Sequence, residues 1–156
     1  MPTIEVLELQ PSSPEIETCA RWRVAAFSDV IEGDAREEKR SLDQFVRTRA
    51  AGVALIAKFD GALAGTCLLV PKELEPCHPV SPWLAGLYVD PMYRMHGVGK
   101  MLVRAIEEEA RLRGHDRVFL HTDSAVGYYQ RQGWIEEDWF DWKGIPTTMM
   151  VRQLRP

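Results

Sequence analysis

Leu87-Tyr88-Val89-Asp90-Pro91-Met92-Tyr93-Arg94-Met95-His96-Gly97-Val98-Gly99-Lys100 is the stretch on which the fold of this chain turns. It closes a run, Trp83 to Val89, that is apolar at both alternating sets of positions, as a central strand covered on both faces would be. Asp90-Pro91 ends that strand. At Gly97 the period becomes helical: Val98, Met101, Leu102, Ala105 and Ile106 fall on one stripe, with Lys100, Arg104, Glu107, Glu108 and Arg111 opposite and Gly114 as the C-terminal cap. Gly97 and Gly99 sit where the helix begins, and inside a helix each costs about 1 kcal/mol against alanine. Their use is close approach, with the N–H groups of the loop and first turn free to point at a ligand. A helix N-terminus carries about half a positive charge and Arg94 adds a full one, so the expected ligand is an anion. A tight turn that needs glycine only for packing is the structural alternative.

Outward from this stretch the elements alternate. Ile4 to Leu9 alternates apolar and polar residues as a half-buried strand. Ser13-Pro14-Glu15 starts a helix with a hydroxyl cap, a proline at the first position and an acid, and the helix runs to about Phe27. An acidic connector, Asp29 to Glu38, leads to a short helix from about Leu42 to Ala50. Val53–Phe59 and Ala62–Val70 form a hairpin across Asp60-Gly61, and Pro71 to Pro82 is a proline-rich loop. After the long helix come a strand at Val118–Thr122 and a short helix at Ser124–Gln132. Two last strands, about Trp134–Asp141 and Thr147–Leu154, are separated by Lys143 to Pro146. There is no internal repeat and no Gly/Ser linker, so the 156 residues read as one mixed α/β domain.

Composition narrows the function. Apolar residues make up 46% and charged residues 27%, which is ordinary for a globular chain. The net charge of −4 is spread without a basic run, which argues against nucleic acid or an anionic membrane as partner. Three cysteines (Cys19, Cys67, Cys77) lack C-x-x-C spacing and fit neither a disulfide framework nor a zinc site, so no metal is expected. The start, Met1-Pro2-Thr3-Ile4-Glu5, has no signal-peptide pattern, no apolar stretch reaches the roughly 18 residues of a membrane span, and the expected home is the reducing cytoplasm.

Arg94-x-x-Gly97-x-Gly99 is neither G-x-x-x-x-G-K-S/T nor G-x-G-x-x-G, so the nucleotide and dinucleotide phosphate loops are excluded. It resembles the pyrophosphate loop, Q/R-x-x-G-x-G/A, of the GNAT N-acetyltransferase superfamily. Gly86 to Pro91 followed by Tyr93-Arg94 resembles that family's fourth strand and its exit. Ala125-Val126-Gly127-Tyr128-Tyr129-Gln130-Arg131-Gln132-Gly133-Trp134 resembles its second hallmark, an alanine, then a tyrosine, then a Gly-aromatic pair one helical turn on. The order of elements fits the family across nearly all of the chain. The resemblance implies a GNAT-like mixed sheet of about seven strands with four helices, its central strands splayed.

It also implies a chemistry: transfer of an acetyl group from acetyl-CoA, as cosubstrate, to a primary amine of a small molecule or peptide by direct attack. The coenzyme-binding set is Leu87, Tyr88, Val89, Arg94, Met95, His96, Gly97, Val98, Gly99, Lys100, Ser124 and Tyr129. Residues 95 to 100 would hold the pyrophosphate through backbone N–H groups, and Leu87–Val89 would pair with the pantetheine arm as with an added strand. The Leu87 N–H would stabilise the oxyanion, and Tyr129 would protonate the departing thiolate. Tyr128 and Tyr129 are adjacent on a helix and face different ways, so only one can serve.

The resemblance breaks at the general base, because no acid lies between Trp83 and Val89. Glu32, Glu136 and His121 are weak candidates, and His121 reads better as a packed strand histidine; His96 is placed to touch a phosphate, and His78 and His115 read as loop residues. Glu32, Asp34, Glu37 and Glu38 in the connector, and Glu136, Glu137, Asp138 and Asp141 beside Trp134, Trp139 and Trp142, suit a cationic acceptor. A solvated acidic face with tryptophans in the core or at a homodimer contact is equally open. The rival of another class is a non-catalytic acyl-CoA sensor or interaction module.

Overall fold

Residues 1–28, 31–73 and 79–155 of the computed structural model are described; the positions expected for Cys77 and His78 fall outside them. The first half of the chain forms β1 (Ile4–Glu8), α1 (Glu15–Ala26), α2 (Ala35–Arg47), β2 (Val53–Phe59), β3 (Ala62–Val70) and β4 (Trp83–Val89). The second half forms α3 (Val98–Leu112), β5 (Arg117–Thr122), α4 (Val126–Gln130), β6 (Ile135–Trp142) and β7 (Ile145–Gln153). A single 3-10 turn at Pro91–Tyr93 joins β4 to the loop before α3. The strands make a seven-stranded sheet in the order β1-β2-β3-β4-β5-β7-β6, with β4–β5 the one parallel pair among antiparallel neighbours.

Three local expectations need correction. α2 begins at Ala35, not Leu42, because Asp34 caps it: its carboxylate accepts from the Glu37 N–H at 2.9 Å, and the charged run 35–41 forms the outer turns of a strongly amphipathic helix. Glu37 and Glu38 therefore belong to α2 rather than to a connector. The start of α1 is not capped by the Ser13 hydroxyl, which is buried without a partner; the Ser13 carbonyl accepts from Ile16 N–H instead, at 3.2 Å. The β6–β7 turn is only Lys143-Gly144, both at positive φ (53° and 85°), with Pro146 inside β7 ahead of Thr148, where pairing to β5 starts. The Asp60-Gly61 hairpin turns the same way (48° and 85°), as expected.

The helices cover both faces. Val53, Leu55, Cys67, Leu69 and Leu84 meet Val98, Leu102, Val103, Ile106 and Ala110 of α3 in the larger core cluster. Ala54, Ile56 and Leu68 meet Ile16 and Cys19 of α1 and Leu42 and Val46 of α2 on the other face. Alternate residues of β2 thus go to opposite helices, which is why this hairpin is apolar throughout. Trp83, Phe119, Met149 and Val151 form a third cluster. No described helix is long and apolar enough to cross a membrane.

Candidate active site

β4 and β5 touch at one register point, Trp83 opposite Phe119, supported by Phe119 N–H donating to the Pro82 carbonyl at 3.0 Å. Beyond that point the strands part, and from Leu84 onward the edge of β4 facing β5 has no strand beside it among the described residues. A bulge sits in the same place. Thr66 pairs with Tyr88 but Leu68 pairs with Ala85, so β4 carries an extra residue at Gly86, whose φ is +64°. A side chain at Gly86 would displace the Arg23 guanidinium and need a left-handed backbone, so glycine is favoured there. The extra residue flips the alternation, so that Leu84, Leu87 and Val89 all pack towards α3. Asp90 N–H donates to the Ala64 carbonyl of β3 at 2.8 Å. Counting back by twos, Leu87 and Val89 turn their N–H groups to the opposite, open edge.

The chain leaves β4 through Asp90, whose carboxylate accepts from Met92 N–H at 2.9 Å, and enters α3 through a loop with positive φ at Met95 (68°) and Gly97 (87°). Met101 is the first residue of this turn to donate back, to the Gly97 carbonyl at 3.1 Å, which leaves the N–H groups of Val98, Gly99 and Lys100 free. A Cβ added at Gly97 would point into open space, so nothing stands in front of the loop at that position. Arg94 lies beside it, its Nε donating to the Val89 carbonyl at 2.9 Å and its guanidinium 5.7 Å from the centre of the Tyr88 ring. Met95 and Lys100 are exposed, and His96 stacks 5.2 Å from the Phe59 ring on the outer side of the loop.

Tyr129 enters from α4. Thr122 Oγ1 accepts from Ala125 N–H (3.0 Å) and from Ser124 N–H (3.4 Å) and so starts that helix at the mouth of the gap. The Tyr129 carbonyl accepts from Trp134 N–H at 3.1 Å, the two rings meet edge to face at 6.1 Å, and the Trp134 indole donates to Glu107 of α3 at 3.0 Å. The Tyr-x-x-x-Gly-Trp spacing is thereby explained: the tryptophan locks the tyrosine to α3. Tyr129 is 8% exposed, burial pushes its phenol above the usual range, and its hydroxyl has no hydrogen-bond partner among the described residues. Tyr128 does face another way. Its hydroxyl stands over Gly99, where a Cβ would lie 2.6 Å away, and burial raises its phenol too.

A cavity of about 640 Å³ fills the gap between β4 and β5 and is lined by Leu87, Ser124 and Tyr129 as well as by Arg23, Glu73 and His121. The acids expected from the sequence are not what lines it. Glu38 is held by Arg23 Nε at 2.7 Å, Asp34 caps α2, and Asp141 accepts the Gly144 N–H at 2.8 Å. Glu136 accepts from the Trp139 indole at 3.0 Å on the outer strand of the sheet. Glu73 and Asp123 line the cavity instead. Of the tryptophans, Trp134 is core, Trp139 is 64% exposed, and only Trp142 reaches the cavity, its ring already covered by Lys143 Nζ at 5.6 Å. His121 is not a packed core histidine: it faces this cavity, and its Nε2 lies 3.3 Å from Glu73 Oε1. Arg23, Glu73 and Asp123 carry no signal in the sequence, being single residues far apart. Trp83, at the position where a base was sought, is fully buried, its indole donating to the Val80 carbonyl at 2.7 Å.

Known proteins give this geometry a context. An aminoglycoside 6'-N-acetyltransferase complexed with coenzyme A superposes with a TM-score of 0.77 at 16% identity, covering 97% of this chain and 98% of that one. A ribosomal-protein-alanine N-acetyltransferase from Brucella melitensis gives 0.74 at 18% identity, over 96% and 99% of the two chains. A PaiA N-acetyltransferase from Thermoplasma acidophilum in complex with coenzyme A gives 0.69 at 20% identity, over 97% and 99%. At such identities the likeness is one of fold. The sequence itself is more specific, since the profile of the acetyltransferase (GNAT) family matches residues 16–134, the span that contains the parted strands, the loop and both tyrosines. This chain belongs to the acetyltransferase (GNAT) family.

Proposed function

We propose that the protein transfers the acetyl group of acetyl-CoA to a primary amine by direct attack in the gap between β4 and β5. One observation supports this reading: Leu87 on the open β4 edge and Tyr129, whose hydroxyl has no partner among the described residues, line one cavity, and the chain runs from the end of β4 into the free N–H groups at the start of α3. In this assignment the N–H groups of residues 95 to 100 hold the coenzyme's pyrophosphate, with Arg94 adding charge. The edge of Leu87–Val89 takes the pantetheine arm as an added strand, which sets the thioester beside the bulge. Leu87 N–H then donates to the carbonyl oxygen as charge builds on it, without reorganisation. Tyr129, kept protonated by its burial, donates to the leaving sulfur. Ser124 borders the arm at the mouth. The acceptor arrives on the side of Arg23, Glu73 and His121, where the Glu73 and Asp123 carboxylates attract an ammonium.

The test is calorimetry with acetyl-CoA on the natural protein and on Gly97→Trp, followed by thiol release in the presence of amines. Gly97 has φ +87° and open space in front, so the indole would stand before the start of α3 and hinder a pyrophosphate there. Micromolar binding weakened about 100-fold or more in the variant is expected, with thermal melting as the check that the variant is folded, since a non-glycine at positive φ costs about 1–2 kcal/mol. Equal binding by both proteins would remove the pyrophosphate assignment.

A further inference from the structure

The transfer needs a group to take the proton from an incoming ammonium, and β4 offers none between Trp83 and Val89. We propose that His121 is the general base and that Glu73 positions it, an inference that rests on the transferase assignment above. The argument begins with geometry. His121 lies on β5, the strand that diverges from β4, and shares the cavity with Leu87 and Tyr129. Its side chain is 20% exposed, enough to meet a substrate, and its ring is steadied edge-on against Trp83 at 6.3 Å. Trp83 is itself fixed by the Val80 carbonyl.

The Glu73 contact decides the tautomer. An ionised carboxylate only accepts, so Nε2, 3.3 Å from Glu73 Oε1, carries the hydrogen. Nδ1 is left as a lone pair with no partner among the described residues. This is the arrangement in which one ring nitrogen is held by an acid and the other accepts a proton. The charged groups around the ring are Glu73 from the segment after β3, Asp123 from the end of β5, and Arg23 from α1, the last already paired with Glu38. Met149 lies across from His121 on β7 and does not titrate. The two carboxylates therefore attract the ammonium as it arrives.

The step balances as follows. The ammonium gives one proton to Nδ1, directly or through one water, and its freed lone pair forms the C–N bond as the C–S bond breaks. The thiolate takes the Tyr129 proton, the second amine proton restores Tyr129 through solvent, and the imidazolium releases its proton to bulk water. Products are the amide, the free thiol and one proton.

The experiment is a pH–rate series for the natural protein, His121→Gln and Glu73→Gln, with acetyl-CoA and three probe amines: kanamycin, spermidine and an alanine-initiated hexapeptide. His121→Gln is expected to lose about 100-fold in kcat/KM for the amine at pH 7 with acetyl-CoA affinity unchanged by calorimetry. Because hydroxide can replace a base, its deficit should shrink about tenfold per pH unit towards the amine's own pKa, about 8 for the peptide's α-amino group and about 10 for spermidine. Glu73→Gln keeps a hydrogen-bonding group but no longer fixes the tautomer, and about tenfold loss in kcat at constant KM for acetyl-CoA is expected. A His121→Gln protein as active as the natural one at pH 7, or one reduced by the same factor at every pH, overturns the base while leaving the transferase assignment standing. If the natural protein does not bind acetyl-CoA, or binds it and acetylates none of the three amines, the transferase assignment fails and the base with it.

Discussion

The two sides of the β4–β5 gap are built from different material. On the side proposed for the coenzyme the groups offered to a ligand are mainly backbone: the N–H of Leu87 and Val89 at the open edge, and those of Val98, Gly99 and Lys100 at the start of α3, with Arg94 beside them. The side chains there, Met95, His96 and Lys100, point into solvent or onto Phe59. On the acceptor side the groups are side chains, Arg23, Glu73, His121, Asp123 and Trp142, drawn from α1, the segment after β3, β5 and β6. A backbone donor cannot be replaced by mutation, only blocked or misdirected, so this side is written as glycines at fixed spacing. A side-chain pocket can be rewritten one residue at a time. The difference teaches where the fold commits to one cosubstrate and where it leaves the acceptor open.

The sharpest break in that comparison is Tyr129, the one side chain proposed to give a proton to the coenzyme's sulfur. Tyr129→Phe is expected to lower kcat about 10²–10³-fold while changing acetyl-CoA affinity less than threefold. Tyr128→Phe is the internal control, since that hydroxyl stands over Gly99 and not in the gap; it should alter KM for acetyl-CoA a few-fold and leave kcat near normal. The sign of the pH response follows from burial. Tyr129 is held protonated above the ordinary phenol range, so the rate should show no alkaline fall up to about pH 10, and steady-state kinetics to that limit checks it. A reversal of the two variants would exchange the roles of the tyrosines.

The same contrast explains what could be read from the sequence. The hairpin at Asp60-Gly61, the strand Trp83–Val89, the helix after Gly97 and the Tyr129–Trp134 spacing are local patterns, each set by turn chemistry or periodicity over a few residues, and the structure holds them where expected. The parting of β4 from β5 is legible only through family resemblance, because a pairing such as Trp83 with Phe119, 36 residues apart, leaves no local mark. The extra residue at Gly86 has none either, since an apolar strand with both faces covered looks the same in either register. The acceptor side went astray for a related reason. Acids near in sequence do not share a site in the fold: Glu38 answers Arg23, Asp34 caps α2, and Glu136 sits on the outer strand, whereas Glu73 and Asp123 meet only once the chain is folded.

Arg94 tests how far the coenzyme side depends on backbone alone. Its guanidinium is exposed, held to the Val89 carbonyl and over Tyr88, and its charge adds to donors already in place. Arg94→Ala should weaken acetyl-CoA binding about five- to tenfold at low salt and less at high salt, because an exposed charge is screened over about 8–10 Å. Calorimetry at 50 and 500 mM salt would measure both. A loss as large as that of Gly97→Trp would show that the side chain, not the helix start, holds the phosphates.

The smallest effect separates the two sides by sign. The acceptor chamber carries Glu73 and Asp123, with Arg23 compensated by Glu38, while the coenzyme loop carries Arg94, Lys100 and the positive end of α3. Raising salt should weaken a cationic acceptor whether the local carboxylates or the overall charge of −4 attract it, so for spermidine salt alone does not distinguish the two. Asp123→Asn does. The residue is exposed at the mouth and pairs with no α3 group, so its removal should cut about twofold from the salt dependence of KM for spermidine and leave that for acetyl-CoA unchanged. If both salt slopes moved together, the charge at Asp123 would act through the field of the whole molecule, and the acceptor side would owe its preference to shape and to His121 rather than to its carboxylates.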